Sequence, residues 1–441
     1  MMIDDIKSVL AATPGVADWK ITETRRQGSE TFFVRDKVDS ARGVDAIDYR
    51  LSVYADGSGT GGAAKTRGEA SVSIHPTMTR GEIEKLVERT RFAASRSGNP
   101  WYPLPAASPI LSHPAPSAFS GRGLESWVPE LRDALYGAAA HAGKAARINS
   151  LELFLSRLET RIVNSQGIDT SFERYKGYVE YTVDAPSALG PVELTDSFSF
   201  SEPDFAGLGR EVAGRLVIVG DRAMAGKTPS GLNLPLILSG REAEAILGYF
   251  FQNLGAARIY SKASPYAIGS DIHGGPGAGD HDPITMTAEA LLSGSPDSAP
   301  VDAEGIPLGR TRLCEAGRVT ALVGPSRYAH YLGEAAHGDY SLFSVEPGAM
   351  SASELRARPH LEVAFFSDFS VDADSGDFGA EIRLAYVSDG KTRRPVSGGS
   401  VTGSLADNRG SIRLSRETSL SGHMFGPEAI LLPSVSITGG E

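Results

Sequence analysis

Cysteine is all but absent: Cys314 stands alone among 441 residues, so no intrachain disulfide can form and no C-x-x-C or Cys/His cluster of the zinc-finger kind can be drawn. That usage fits a reducing cytoplasm. Long apolar runs are missing as well. None approaches the roughly 18 residues a membrane span requires, and the opening Met1-Met2-Ile3-Asp4-Asp5-Ile6-Lys7 lacks the basic-then-apolar order of an export signal. The expectation is a soluble, unexported, cytoplasmic protein without membrane contact. Positive charge is in short supply too: 43 Lys and Arg stand against 54 Asp and Glu, a net charge of −11. Such a balance repels phosphate backbones, and the pairs Arg25-Arg26 and Arg393-Arg394 are too isolated to form a basic track, so direct nucleic-acid binding is not expected. No repeat of fixed period is visible, which removes solenoids and propellers.

What is present is ordinary globular composition, 41% hydrophobic and 22% charged, enough to bury a core without a special staple. The length exceeds the roughly 100–200 residues of one domain, so two or three domains are expected. The 50 glycines punctuate apolar runs without a G-x-y period and read as turns in a strand-rich α+β protein. Thr31–Val34 and Tyr49–Tyr54 read as strands. Thr79-Arg80-Gly81-Glu82 is a capping box before a helix with Ile83, Leu86, Val87 and Phe92 roughly at helical spacing on one face. The Pro/Ser-rich run from Asn99 to Pro116 stiffens a connection, and a boundary falls there. A second segment pairs a helix around 128–142 with a strand carrying Leu151, Leu153 and Leu155 on one side, followed by a hairpin turn at Asn164-Ser165-Gln166-Gly167. Gly226–Asn233 then leads to the apolar strand Leu234–Leu238, which opens a strand-rich third segment. A second capping box stands at Ser351-Ala352-Ser353-Glu354.

Four signatures, taken in order, resemble the TldD/PmbA family over nearly the whole chain: Asn164-Ser165-Gln166-Gly167, the run from Leu234 to Leu254, Asp302-Ala303-Glu304-Gly305-Ile306-Pro307, and Glu346-Pro347-Gly348-Ala349-Met350-Ser351. The closing stretch Gly426–Gly440 is similar as well. The resemblance implies three family domains, at 1–115, 116–228 and 229–441: a mixed N-terminal part followed by a strand-rich C-terminal domain.

In active members of that family the helix after the apolar strand carries H-E-x-x-x-H, whose histidines hold zinc while the glutamate moves a proton from the metal-bound water. Laid on this sequence, the motif falls on Gly248-Tyr249-Phe250-Phe251-Gln252-Asn253, so Gly248, Tyr249 and Asn253 replace all three functional residues. The family's further cysteine ligand is absent from Ser419-Leu420-Ser421-Gly422-His423. The apolar stripe Ile246, Leu247, Phe250, Phe251 and Leu254 keeps the helix.

The resemblance therefore implies a PmbA/TldE-like chain with no catalytic residue and no cofactor of its own. It would be the partner of a TldD-like zinc subunit in a peptidase that degrades or matures unfolded or extended peptides. The family's label of DNA gyrase modulator derives from such substrates and implies no contact with DNA.

Other readings stay open beside it. Tyr249 could contact a peptide, although the neighbouring phenylalanines read as core. His273, Asp280, His281 and Asp282 could hold a divalent metal, perhaps with His423, and so support a stand-alone hydrolase; the many glycines around them favour a solvated loop. Gly57–Gly62 resembles a phosphate loop but lacks the G-K-[ST] ending. A peptide-binding homodimer without a peptidase partner is the remaining alternative. Extended peptides are commonly held at a sheet edge, and which strand provides one is not legible in the sequence.

Overall fold

The computed structural model describes residues 2–58, 65–138, 146–188, 190–275 and 280–440. Its first half is built on one antiparallel sheet of seven strands: β1 (Asp18–Val34), β2 (Lys37–Ser58), β3 (Lys65–Ile74), β4 (Asn99–Pro100), β5 (Arg147–Asn164), β6 (Asp169–Ala185) and β7 (Val192–Phe200), in the order β4-β3-β2-β1-β5-β6-β7. β1 runs against β5 from Lys20 opposite Asn164 to Val34 opposite Ser150, so segments 1–115 and 116–228 share a single sheet. The proline-rich stretch after Asn99 contributes only the two-residue edge strand β4, paired to Thr66 and Arg67, because proline lacks the donor that a central strand needs.

Helices cover this sheet where its side chains alternate. α1 (Met2–Ala12) and α2 (Arg80–Ser95) bury Ile3, Ile6, Ile83 and Val87 against Ile21, Leu51 and Val53. The capping box at the start of α2 forms, the Glu82 carboxylate accepting from the Thr79 amide at 2.7 Å. Leu151, Leu153 and Leu155 of β5 and Val179, Tyr181 and Val183 of β6 point to one side. They pack on α3 (Val128–Gly137) and α4 (Phe205–Ala223) through Leu131, Leu135, Leu208, Val212 and Leu216. Each fully buried aliphatic chain contributes about 1.5–3 kcal/mol. The helix expected over 128–142 ends at Gly137, and residues 139–145 lie outside the described residues. Of the glycine-rich stretch 57–62, Gly57 and Ser58 close β2 opposite Thr66 and Lys65; residues 59–62 lie outside the described residues.

The remainder folds around two further sheets, in keeping with an α+β fold whose C-terminal part is strand-rich. The larger has the strand Leu236–Ser239 between Ala429–Leu432 and His360–Phe366. It reaches back to Gly226–Lys227, the first two residues of the stretch Gly226–Asn233, which pair with Val396 and Ser397. The smaller sheet runs, in order, through Arg318–Val319, Arg310–Glu315, Met286–Glu289, Leu342–Val345, Met424–Pro427 and Thr418–Ser421. Helix α5 (Gly240–Asn253) packs on strands of both sheets. Cys314 is fully enclosed in the strand Arg310–Glu315, and burial pushes its thiol up to about 12. Among the described residues no helix is long and apolar enough to cross a membrane.

Candidate functional site

Helix α5 starts at Gly240, whose φ of +60° turns the chain sharply out of the preceding strand. Ile246, Leu247, Phe250 and Leu254 are fully buried, and Phe251 stacks on Phe343 with ring centroids 4.7 Å apart. This stripe fixes the orientation of the three motif positions. Gly248 faces Phe343, which an added Cβ would meet at 3.9 Å. Tyr249 is only 6% exposed; its ring lies against the turn at Gly376, beside Tyr266 and Arg409. Burial raises the phenol of Tyr249 and pushes that of Tyr266 up to about 12, so both stay neutral.

Asn253 is fully buried. Its Nδ2 donates to the carbonyls of Tyr249 at 3.0 Å and Ala373 at 3.1 Å, and its Oδ1 accepts from Arg258 Nε at 3.2 Å. Arg258 closes the arrangement by donating to Ala373 O at 2.7 Å and pairing with Asp374 at 2.5 Å. These positions do not fit a zinc ion. Glycine offers no donor atom, the tyrosine is packed among rings, and the asparagine amide is spent on its neighbours, whereas zinc takes thiolate, imidazole or carboxylate ligands.

The hairpin of Thr418–Ser421 and Met424–Pro427 meets α5 one turn earlier, at Glu244. The Glu244 carboxylate accepts from the His423 amide at 2.8 Å and lies 3.4 Å from its Nδ1, while Asp297 lies 3.3 Å from Nε2. An imidazole between two carboxylates is stabilised as the cation: hydrogen bonding to Asp297, then to Glu244, raises His423 to about 10. Sequence reasoning picked out His423 but missed both partners, since Glu244 is 179 positions away and nothing local marks either carboxylate.

His273 lies elsewhere, buried against the 409–412 turn. Its Nδ1 is 2.7 Å from Arg409 O and its Nε2 is 3.1 Å from the amide of Ile284. Nδ1 therefore donates and Nε2 accepts, which fixes the neutral tautomer, and burial holds the ring below the usual imidazole range. The structure brings His281 onto it, ring centroids 4.1 Å apart. Asp282 accepts from Leu414 N at 2.8 Å and lies 3.7 Å from Arg413, which also pairs with Asp280. Both ring nitrogens of His273 and both carboxylates thus already serve protein partners. Residues 276–279 of this loop lie outside the described residues. Among the described residues no group of three or more His, Cys, Asp and Glu side chains is arranged to hold a metal.

The signature motifs turn out to be joints. Asn164 Oδ1 accepts from the amides of Gln166 and Ile168, closing the hairpin turn. Asp302 does the same for the amides of Glu304 and Ile306, and with Asp339 N adds a third bond. Burial pushes the Asp302 carboxyl up to about 6. The two turns meet: Gly305, at φ +84°, passes so close to Ile168 that a Cβ would lie 2.8 Å from it. Gly348 likewise lies over Leu414 O, 2.1 Å from where its Cβ would be, and Ser351 and Glu354 form the second capping box.

Residues 231–439, which span α5, the hairpin and the joints at Asp302 and Gly348, match the family described as PmbA/TldA metallopeptidase C-terminal domain. Residues 231–439 of the chain belong to that family. Solved structures of similar fold cover the rest of it. A Thermotoga maritima protein described as a candidate modulator of a DNA gyrase is 14% identical, with a TM-score of 0.78 and 100% of both chains covered. TldE from Thermococcus kodakarensis is 16% identical, with a TM-score of 0.75 and 100% of both chains covered. A Bacteroides thetaiotaomicron protein, also described as a candidate gyrase modulator, is 16% identical, with a TM-score of 0.78 and 99% of this chain and 98% of that one covered. No curated protein matches by sequence.

Beside α5 the chain is hollow. Between the first sheet and the C-terminal part lie a cleft of about 770 Å³ and two smaller hollows of about 470 and 480 Å³. They share walls: Gly294 borders the first two, Asp297 the first and third, and Arg174 the second and third. One side of the large cleft carries Arg215 and Arg241, which pair with the buried Asp196 behind them, Arg215 at 2.5 Å. The other carries His423 with its two carboxylates. None of these cross-cleft groupings was legible in the sequence.

Proposed function

We propose that this chain is the noncatalytic partner subunit of a TldD/TldE-type metallopeptidase complex, working on unfolded or extended peptides beside a TldD-like chain that carries the zinc. The observation behind this reading is the locked motif position: Asn253 stands where a zinc ligand is expected, and its amide holds Tyr249, Ala373 and Arg258 together. The fold is kept while the chemistry of the motif is replaced by packing. The likeness to a structure named TldE supports the same assignment. Direct contact with DNA is no part of it, given the net charge of −11.

The test is elemental analysis of the purified chain, together with cleavage of a labelled unfolded polypeptide by this chain alone, by a TldD-like chain alone, and by the mixture. The expected result is far less than one zinc per chain, no cleavage by this chain, and cleavage that depends on the mixture. A structural or catalytic zinc binds too tightly to be lost at random, so stoichiometric zinc with cleavage by this chain alone would sink the proposal.

A further inference from the structure

Two sheet edges line the 770 Å³ cleft. β7 is the last strand of the first sheet, paired only to β6, and its residues Ser197–Phe200 form one wall. Thr418–Ser421 is the last strand of the smaller C-terminal sheet, paired only to Met424–Pro427, and Ser419–Ser421 form the opposite wall. A terminal strand presents main-chain donors and acceptors that its own sheet does not use.

The direction of those groups can be read from their neighbours. The Ser197 amide is bonded to the Asp196 carboxylate at 2.8 Å, and the Ser201 amide donates to Gly294 O at 3.1 Å. Both therefore point away from β6, and by the two-residue alternation of a strand the amide and carbonyl of Ser199 point the same way. Gly294 thus already bonds the end of this edge as a neighbouring strand would. It also reaches the opposite wall, since Leu420 would lie 3.4 Å from a Cβ placed on it.

The cleft is also lined by Lys176, near Asp297, and by three acids with partners close by: Glu202 accepts from the Ala118 amide at 3.0 Å, Asp204 from the Gly207 amide at 2.9 Å, and Glu211 lies 3.9 Å from Arg215. Asp196 against two arginines leaves a single positive charge on one side, and His423 against two carboxylates leaves a single negative charge on the other. Beside these charged groups the cleft presents main chain and the apolar faces of Tyr178, Phe198 and Leu420. That surface suits a ligand recognised by its backbone, with apolar side chains at alternate positions.

We infer that this cleft is a peptide-binding site in which an extended segment enters as an added strand, continuing from Gly294 along the outer edge of β7 at Ser199 and lying against Thr418–Ser421. The inference deepens the reading of the chain as part of a peptide-handling complex and locates the peptide on this subunit. Main-chain pairing makes the site tolerant of sequence, and the alternation of side chains gives it a preference for every second residue to be apolar.

The test uses the full chain without any partner, and as probe a short fluorescein-labelled peptide of alternating leucine and threonine. Anisotropy measures its binding to the wild type, to Ser199→Pro and to Leu420→Arg. Proline at an outward edge position removes the donor and leaves the pairing with β6 intact; Leu420→Arg alters an exposed side chain and keeps the test alive should the proline variant fail to fold. Each folded variant is expected to bind about tenfold more weakly, the order of a lost hydrogen-bonded contact. In the wild type, hydrogen exchange is expected to slow at residues 197–201 and 418–421 when peptide is present. Wild-type affinity in the folded variants, no binding to the wild type, or protection confined to the separate groove beside Phe378 and Gly403 would overturn the inference. Peptide bound here without partner-dependent cleavage would defeat the proposed function and leave the site standing. Partner-dependent cleavage without binding here would do the reverse.

Discussion

Asn253 holds three groups with one carboxamide: two main-chain carbonyls, one on its own helix and one on the loop at Ala373, and the guanidinium of Arg258. An aspartate, histidine or glutamine could not copy that pattern of two donors and one acceptor at this length. Asn253→Ala should therefore strip partners from buried polar groups and destabilise the chain by about 1–3 kcal/mol, read as a lower urea midpoint at unchanged slope. That Gly248, Tyr249 and Asn253 stand at the three motif positions is an expectation drawn from the family resemblance. The role of the substitutes was not legible, since Ala373 and Arg258 become neighbours of Asn253 only through the fold. The same limit applied to His273. Its chemistry suggested a ligand, and its two backbone bonds, to Arg409 O and from Ile284 N, show where its nitrogens are used.

Among the elements, those governed by local rules were foreseeable: the capping boxes at Thr79 and Ser351, the alternation of Leu151, Leu153 and Leu155, and the hairpin turn at Asn164. What sequence could not supply was which turn docks on which. The turn Asp302–Pro307 seats Gly305 against Ile168 of the hairpin, bringing together two signatures far apart in the chain. Gly305→Ala would place a Cβ where φ is +84° and Ile168 is 2.8 Å away. It should cost about 1–3 kcal/mol, and amide exchange should quicken in both turns together. Faster exchange in one turn alone would show that they are not coupled.

For the whole molecule, composition placed the chain in the α+β class with a strand-rich end, but the single sheet spanning the first two segments depends on β1 finding β5, a long-range pairing without a local signal. The two halves are bolted by Asp196, on β7, which takes Arg215 from α4 and Arg241 from α5. Asp196→Ala leaves the part-buried Arg215 facing Glu211 at 3.9 Å and should cost about 1–3 kcal/mol. All three tryptophans, Trp19, Trp101 and Trp127, lie in the first half, Trp101 against His330 of the second, so their fluorescence is weighted to the first half while circular dichroism reports both. The wild type is expected to show coincident unfolding curves and the variant separated ones; curves that stay superimposed in the variant would refute the bolt. The enclosed thiol of Cys314 makes such experiments easier to extend. A sole cysteine held in its neutral form inside a strand is silent toward maleimides and mild oxidants, so the natural chain serves as a blank background, and a spin label or dye can be attached through one engineered cysteine on either bank of the cleft to record its width as it works.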